Sequence, residues 1–214
     1  SPKTLYEAII NGDATSTEEL ARQALISGKP PKLIMDDELI PAIQKVGELY
    51  ESKKYFLPQL IRGAEAMEKA MSVISPELEK DSGKISENKG TIVIATVKGD
   101  VHDIGKNIVA MLLRNYGFNV IDLGKDVDAF RIIEAAKANN ADIIALSALM
   151  TTTMNQMPKV MSIVKEEGLT CEMMVGGAVL DSNFAGSFGA HYTNDAYKAV
   201  KLAESLINQN KNGG

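Results

Sequence analysis

The sequence has few of the residues that build crosslinks and the commonest protein metal sites. Its 214 residues include one cysteine, Cys171, and two histidines, His102 and His191. A single cysteine excludes an intrachain disulfide and is typical of a protein from a reducing compartment. A metal site built from several His or Cys ligands is not expected from so few of them. Because Cys171 precedes an apolar run, we expect it to be packed rather than reactive.

Other absences narrow the class of protein. The formal net charge is -5 and no basic patch stands out, so nucleic acid is not expected as the main partner. No run of about 18 apolar residues is present, which predicts no membrane span. The N-terminus lacks a basic-then-apolar signal pattern. With 45% hydrophobic and 24% charged residues, we expect a cytoplasmic protein with a sizeable core.

Residues 1–78 carry apolar residues at helical spacing only. A short helix is expected near residues 3–11, and Ser16–Glu19 has the spacing of a capping box ahead of the next helix. Pro41 is expected to kink the third helix or to mark its real start. A further apolar stripe begins at Leu57. Together these patterns predict an all-α four-helix bundle.

The pattern changes after a polar stretch, residues 79–90, which we interpret as a linker. From there on, short β-branched runs alternate with helical segments. This alternation over residues 91–214 predicts an α/β flavodoxin-like (Rossmann-like) domain with a five-stranded parallel sheet in the order 2-1-3-4-5. The expected strands are 91–97, 119–122, 142–147, 172–175 and 191–193, and the expected helices lie near 104–116, 128–138, 154–167 and 195–208.

The most unusual residues follow the first strand, at the edge of the sheet where ligands bind. An imidazole needs a hydrogen-bond partner on one ring nitrogen if the other is to bind a metal, and Asp100 could be that partner for His102. Gly99 and Gly105 would permit a bulky ligand to approach the backbone. Taken alone, however, an Asp-x-His pair is more often ordinary surface chemistry.

The loops after the third and fourth strands should share this edge. The hydroxyl groups of Ser147 and Thr151–Thr153 could cap the next helix, satisfy backbone groups or contact a polar ligand. Gly176-Gly177 could make a tight turn or permit close approach of a flat ligand. No phosphate-binding glycine motif is present. A receiver domain would need a phosphoacceptor Asp after the third strand, where the sequence has Leu146-Ser147.

Taken together, these loops resemble the cobalamin-binding signature of methionine synthase and its relatives. The matching segments are Asp100–Gly105, with the pattern Asp-x-His-x-x-Gly, then Ser147–Leu149 and then Gly176-Gly177. They occur in the right order, each after a strand, and with the helical half in front the resemblance covers nearly the whole chain. The runs Phe56–Gln59 and Ser147–Met154 most resemble the small corrinoid proteins of methylamine, quaternary-amine and methanol methyltransferase systems.

The resemblance implies a site for cobalamin or a related corrinoid, with His102 as the axial ligand of cobalt. Asp100 would orient and tune His102, and Thr153 would stand where methionine synthase has a serine in this relay. The nucleotide tail of the cofactor would pass between the first and fourth strand-end loops. Cofactor contacts are implied for Gly99, Asp100, Val101, His102, Asp103, Gly105, Ser147, Leu149, Thr151, Thr153, Gly176, Gly177 and Ala196, and above the corrin for Tyr50 and Leu57, which also fit the bundle's own core pattern.

The implied function is that of a methyl carrier, a subunit of a multi-component methyltransferase that is not catalytic without its partners. Cob(I)alamin would take a methyl group from a methyltransferase specific for a methylated or quaternary amine. Methylcobalamin would then donate it to a second methyltransferase that acts on coenzyme M or tetrahydrofolate. An ATP-dependent reductive activator is implied as a further partner.

Three alternatives use the same kind of domain. The small subunit of an adenosylcobalamin mutase would need a large barrel partner. A cobalamin-dependent sensor would carry a DNA-binding or signalling module, and no basic module of that kind is seen. A receiver-like scaffold would bind no cofactor. The sequence itself specifies neither the methyl donor nor the choice between coenzyme M and tetrahydrofolate.

Overall fold

The computed structural model of the chain describes residues 2–82 and 88–213. The chain divides into two compact units, Ser1–Glu87 and Asn88–Gly214. The first is helical and the second contains the sheet. Within the described ranges, no helix combines the length and the apolar character needed to cross a membrane.

The helical unit is the predicted bundle, with its third helix interrupted. Its fully buried side chains include Ile43, Leu60, Met67 and Ile74, which lie on the apolar stripes of the sequence, and Ile9 in the first helix. Its elements are α1 (Leu5–Asn11), α2 (Ala14–Ile26), α3 (Pro31–Ile34), a π-helical turn (Met35–Leu39), α4 (Ile40–Glu51) and α5 (Leu57–Ser82).

Two sequence-based expectations about helix starts in this unit are wrong. The predicted capping box at Ser16 is wrong, because Asp13 caps α2 by accepting hydrogen bonds from the Ser16 N–H at 3.0 Å and from the Ser16 hydroxyl at 2.7 Å. Pro41 is the second residue of α4, and the π-helical turn runs into α4 without a break, because Leu39 and Ile40 have right-handed helical backbone angles and the Ile40 N–H donates to the Met35 carbonyl. The prediction that Pro41 marks the real start of the helix is therefore wrong, and the kink that was its other predicted role stays a prediction.

Helix α5 is longer than expected. It continues through Pro76 to Ser82, so residues 79–82, the first part of the predicted linker, are helical. Ile74 and Leu78, four residues apart on one helical face, are both buried, and this packing outweighs the cost of a proline inside the helix. Residues 83–87 of the predicted linker lie outside the described residues.

The sheet unit has the predicted topology. Five parallel strands are arranged in the order β2-β1-β3-β4-β5. The strands are β1 (Thr91–Thr96), β2 (Asn119–Asp122), β3 (Ile143–Ser147), β4 (Glu172–Gly176) and β5 (His191–Tyr192), and the helices are α6 (Ile104–Asn115), α7 (Ala129–Ala138), α8 (Gln156–Glu166), α9 (Ser182–Ser187) and α10 (Ala196–Asn212). Of these, only α9 was not predicted, because six residues are too few to show helical periodicity.

Strand register brings the carboxyl ends of the three central strands level. All six residues of β1 are buried, as expected for a strand covered on both faces. Thr96 of β1 pairs with Ser147 of β3, and Ser147 pairs with Gly176 of β4. The loops that follow these strands therefore begin side by side at one edge of the sheet, which is called the carboxyl edge below.

Cys171 precedes β4 and is packed, as expected. Its side chain is partly buried against the apolar core of the sheet unit. Burial raises the pKa of this thiol above its ordinary value. Its thiolate fraction at neutral pH is correspondingly small, which fits a structural cysteine.

Candidate functional site

A tight turn after β1 places Asp100 inside the carboxyl edge. The Asp100 N–H donates to the Val97 carbonyl at 3.1 Å, and Gly99 occupies the third position of the turn with φ 83°. A positive φ at that position is the signature of a type II turn and favours glycine. The sequence Lys98-Gly99 thus turns the chain so that the Asp100 side chain becomes fully buried, with 0% of its surface exposed.

The Asp100 carboxylate accepts four hydrogen bonds. Its Oδ1 accepts from the His102 backbone N–H at 3.0 Å and faces the His102 Nδ1 at 2.8 Å. Its Oδ2 accepts from the Leu149 N–H at 2.8 Å and from the Thr153 hydroxyl at 2.7 Å. Since a carboxylate can only accept, Nδ1 of His102 carries the proton. The hydrogen bond expected between Asp100 and His102 is therefore present, and it is one member of a larger network.

The network keeps Asp100 ionised. Burial by itself raises the pKa of this carboxyl group, but the hydrogen bonds from Leu149, Thr153 and His102 outweigh burial and hold its pKa well below the usual range. A buried carboxylate of this kind is stable only because its oxygens are satisfied by donors. The site therefore contains a fixed negative charge beside the imidazole of His102.

The other ring nitrogen of His102 can bind a ligand. Nδ1 is bonded to Asp100, so the lone pair of the neutral ring lies on Nε2, and the side chain is 48% exposed. Val101, Ile104 and Leu149 near it leave large apolar side chains exposed. Gly105, in the first turn of α6, has open space around the position of a Cβ. An available imidazole in an open, apolar surface fits a large flat metal cofactor with a vacant axial position.

The two glycines after β4 differ. Gly176 ends the strand beside Ser147, and an added Cβ there would lie 3.5 Å from the nearest atom, the Thr193 carbonyl oxygen. At Gly177, which has φ 143°, an added Cβ would overlap the carbonyl oxygen of Ala148. The close backbone approach at Gly177 is thus to the chain's own β3–α8 loop. Its predicted contact with the cofactor stays a prediction.

The remaining predicted cofactor contacts lie on several elements of the chain. Thr151 is exposed in the loop after β3, and Asp103 precedes the first residue of α6. Ala196 is the first residue of α10, after the capping residue Asp195. Their roles stay predictions, as do those of Tyr50 in α4 and Leu57 at the start of α5, which belong to the helical unit.

The loop after β2 also belongs to this edge, although none of its residues was predicted to. Asp126 accepts a hydrogen bond from the Gly99 N–H at 2.8 Å, and its own N–H donates to the Asp100 carbonyl at 2.9 Å. Buried Lys106 bonds both carboxylate oxygens of Asp122, at 2.7 and 2.9 Å. The signal was available, because β2 neighbours β1 in the predicted strand order and charged residues follow it.

Sheet and site together define a class. The chain has a flavodoxin-like sheet whose carboxyl edge holds an imidazole fixed by a buried carboxylate, and a helical bundle precedes it. That combination is the one expected of a protein that binds a metal-containing cofactor through one side-chain ligand.

Comparison with known proteins identifies the family within that class. Residues 90–200 match the family described as B12 binding domain, and residues 3–75 match a second family with the same description. The chain therefore belongs to the B12-binding family. Its predicted fold and its predicted cofactor, cobalamin or a related corrinoid, are both confirmed.

Individual relatives agree with this assignment. Trimethylamine corrinoid protein 1 of Methanosarcina acetivorans is 41% identical over 204 residues, which are 94% of each chain. Dimethylamine corrinoid protein 2 of the same organism is 41% identical over 180 residues, 83% of this chain and 82% of the relative. The structure of the methanol:cobalamin methyltransferase complex MtaBC from Methanosarcina barkeri aligns with a TM-score of 0.85 at 34% identity, over 97% of this chain and 81% of that one.

Proposed function

We propose that this chain is the corrinoid subunit of a multi-component methyltransferase. It would carry a methyl group from a methyltransferase specific for a methylated or quaternary amine to a second methyltransferase that acts on a thiol or tetrahydrofolate. The observation that carries the proposal is the pairing of exposed His102 with fully buried Asp100 in a chain of the B12-binding family. Relatives named for trimethylamine, dimethylamine and methanol support the methyl-transfer role.

His102 is the residue that would hold the cobalt. A corrinoid, when bound, would supply the metal that carries the methyl group, and the protein would supply position and charge. With Nδ1 committed to Asp100 at 2.8 Å, His102 has only Nε2 left for a metal. A metal and a proton compete for the lone pair on that nitrogen, so His102 can serve as a ligand only while Nε2 is unprotonated.

Asp100 fixes which ring nitrogen of His102 is free for a metal. A carboxylate that accepts from one ring nitrogen also makes the other a stronger electron donor to a metal. Asp100 can do this only while it is ionised, which is what the hydrogen bonds from Leu149 and Thr153 ensure. The pair would thus hold the His102 ring oriented, with Nε2 available to a cobalt ion.

The apolar surface around His102 would receive the corrin. Val101, Ile104 and Leu149 are exposed and would gain from contact with a large apolar ring. Open space at Gly105 would let that ring approach α6. Ser147 and Gly176, side by side at the ends of β3 and β4, are the proposed neighbours of the nucleotide tail.

The methyl-carrier role can be tested with isotope-labelled donors. The protein loaded with cobalamin and reduced is mixed with candidate methyltransferases from its own organism and with ¹⁴C-methyl trimethylamine, dimethylamine, a quaternary amine or methanol. We expect label on the protein with at least one donor, and its onward transfer to coenzyme M or tetrahydrofolate once the second methyltransferase is added. Omission of an ATP-dependent reductive activator should stop turnover after cobalt becomes oxidised.

Other outcomes would support the alternatives. A His191→Ala variant serves as the matched control and should transfer label like the unchanged protein, because His191 lies outside the carboxyl edge. Cobalamin binding with no transfer from any donor would contradict the proposal. A light-dependent change of oligomeric state would then indicate a sensor, and radical rearrangement with a barrel partner would indicate a mutase subunit.

A further inference from the structure

The segment that contains His102 is held at both of its ends by one neighbouring loop. The segment is Gly99–Lys106. The neighbouring loop follows β2, and we call residues Asp122–Asp126, the last residue of β2 and this loop, the brace. Asp126 bonds the first residues of the segment, and Asp122 bonds its last residue. Neither aspartate belongs to the hydrogen-bond network around the Asp100 side chain.

At the first end, Asp126 acts on the backbone on both sides of the Gly99–Asp100 peptide. Its Oδ1 accepts from the Gly99 N–H at 2.8 Å, and its N–H donates to the Asp100 carbonyl at 2.9 Å. Asp126 has φ 54°, a left-handed conformation that Asp and Asn adopt more readily than most residues. Its contact with Lys98 is a 3.7 Å pair between exposed side chains, which contributes little. The main role of the Asp126 carboxylate is therefore its bond to Gly99.

At the other end, Lys106 is nearly fully buried and bonds both oxygens of Asp122. A buried ammonium group paired with a carboxylate is strongly held, because separating the two would leave a charge without a partner. Asp122 also accepts from the Gly124 N–H at 2.9 Å. The start of α6 is thereby tied to the same loop.

The brace is itself anchored to the sheet. The Thr96 N–H donates to the Gly124 carbonyl at 2.9 Å, and the Val127 N–H donates to the Thr96 carbonyl at 3.1 Å. Thr96 is the last residue of the buried strand β1. The brace is thus a short continuation of the β1–β2 pairing beyond Asp122. Because the brace is bonded to a buried strand, it holds the segment Gly99–Lys106 in a fixed position relative to the sheet.

We propose that Asp126 is a positioning residue for His102. It sets the place of the Asp100 backbone, and Asp100 in turn sets the direction of the His102 ring. Asp126 touches no reacting atom and acts only through Gly99 and Asp100. The inference rests on the proposed function in one respect, that His102 is the cobalt ligand.

Two substitutions separate the side-chain bond of Asp126 from its backbone conformation. Asp126→Asn keeps an acceptor oxygen and tolerates the left-handed conformation, whereas Asp126→Gly keeps the conformation and loses the acceptor. Asn140→Gly is the matched control. Asn140 also has a positive φ, 47°, but it lies in the turn before β3, away from the carboxyl edge.

The first readout is amide hydrogen exchange of the cofactor-free protein over residues 99–104. We expect exchange about three- to tenfold faster in Asp126→Gly, as for the loss of one ordinary hydrogen bond exposed to solvent. Asp126→Asn and Asn140→Gly should match the unchanged protein. Equal exchange in Asp126→Gly, or equal acceleration in Asp126→Asn and Asn140→Gly, would overturn the inference.

The second readout is the nitrogen splitting in the electron paramagnetic resonance spectrum of the protein loaded with cobalamin and reduced to cobalt(II). We expect the His-ligated fraction to fall severalfold in Asp126→Gly and to recover in Asp126→Asn. An undiminished fraction in Asp126→Gly would overturn the positioning role even if exchange changes. If a splitting that responds to ¹⁵N-labelled histidine survives in His102→Ala while exchange responds as expected, the ligand assignment fails and the role of the brace is still supported.

Discussion

Two histidine–carboxylate pairs lie on opposite edges of the same sheet. They contain the same chemical groups but differ in burial and in the number of hydrogen bonds to the carboxylate. Asp100 and His102, 2.8 Å apart, lie at the carboxyl edge, where Asp100 is 0% exposed and accepts four hydrogen bonds. Glu172 and His191, 3.2 Å apart, lie where β4 and β5 begin, and their side chains are 35% and 42% exposed. The presence of such a pair therefore does not by itself indicate a site.

The difference lies in what surrounds the carboxylate. An exposed pair is hydrated and screened, and its two side chains can separate at little cost. A buried carboxylate must accept hydrogen bonds from donors in fixed positions. These donors hold the carboxylate in place, and the carboxylate in turn orients the imidazole ring that donates to it. Rigid placement of His102 thus comes from the backbone N–H of Leu149 and the hydroxyl of Thr153, which are remote from it in sequence.

The largest expected effect comes from removing each carboxylate in turn. Asp100→Ala would take the acceptor from the Leu149 N–H and leave the Thr153 hydroxyl only its 3.1 Å bond to the Met150 carbonyl, and it should cost about 3 kcal/mol in the free energy of unfolding. Glu172→Ala should cost less than about 0.5 kcal/mol. Urea unfolding of the cofactor-free proteins, followed with a probe in the sheet unit, measures both. Similar losses of unfolding free energy in Asp100→Ala and Glu172→Ala would contradict the claim that only the Asp100 carboxylate is held by buried donors.

A smaller effect is expected from a single donor. Thr153→Val removes the hydroxyl that bonds Asp100 at 2.7 Å and should cost about 1–2 kcal/mol. Thr153→Ser keeps the hydroxyl and should recover most of that loss. Urea unfolding of the two variants decides the matter, and a serine variant no more stable than the valine variant would mean that the hydroxyl does not stabilise Asp100.

The smallest effect is on the pH dependence of stability. Because the pKa of Asp100 is lower in the folded chain than in the unfolded chain, the unfolded chain takes up the proton first as the pH falls. The stabilisation by Asp100 should be fully present above about pH 5 and should decrease as the pH falls below the unfolded-state pKa of about 3.9. Relative to Asp100→Asn, the unchanged protein should lose about 1 kcal/mol between about pH 5 and pH 3. A difference that stays constant over this range would contradict the depressed pKa.

Much of the fold follows from local sequence patterns. The buried β-branched run at β1 and its alternation with helices predict the sheet order, because parallel connections allow few arrangements. Where the sequence-based expectation was wrong, a tertiary contact or a competing cap decided the outcome. Helix α5 continues past Pro76 because Leu78 is buried, and Asp13 caps α2 although Ser16 has the expected spacing.

The site could be predicted only in part, for a related reason. Asp100 and His102 are two residues apart, so a hydrogen bond between them could be expected from the sequence. The bonds from Leu149 and Asp126 to the same turn depend on strand register and loop conformation, which span 49 and 27 residues. Backbone donors such as the Leu149 N–H leave no signature in side-chain identity, so no residue pattern could have identified them.

The most direct test of the central assignment compares the two histidines as cobalt ligands. The protein is produced with ¹⁵N-labelled histidine, loaded with cobalamin and reduced to cobalt(II), and its electron paramagnetic resonance spectrum is recorded. If His102 binds cobalt, the nitrogen splitting should change from three lines to two on labelling, and the two-line pattern should persist in His191→Ala and disappear in His102→Ala, where cobalt can bind only an unlabelled base. A splitting that ignores the label in the unchanged protein, or a two-line pattern that survives in His102→Ala, would contradict ligation of cobalt by His102.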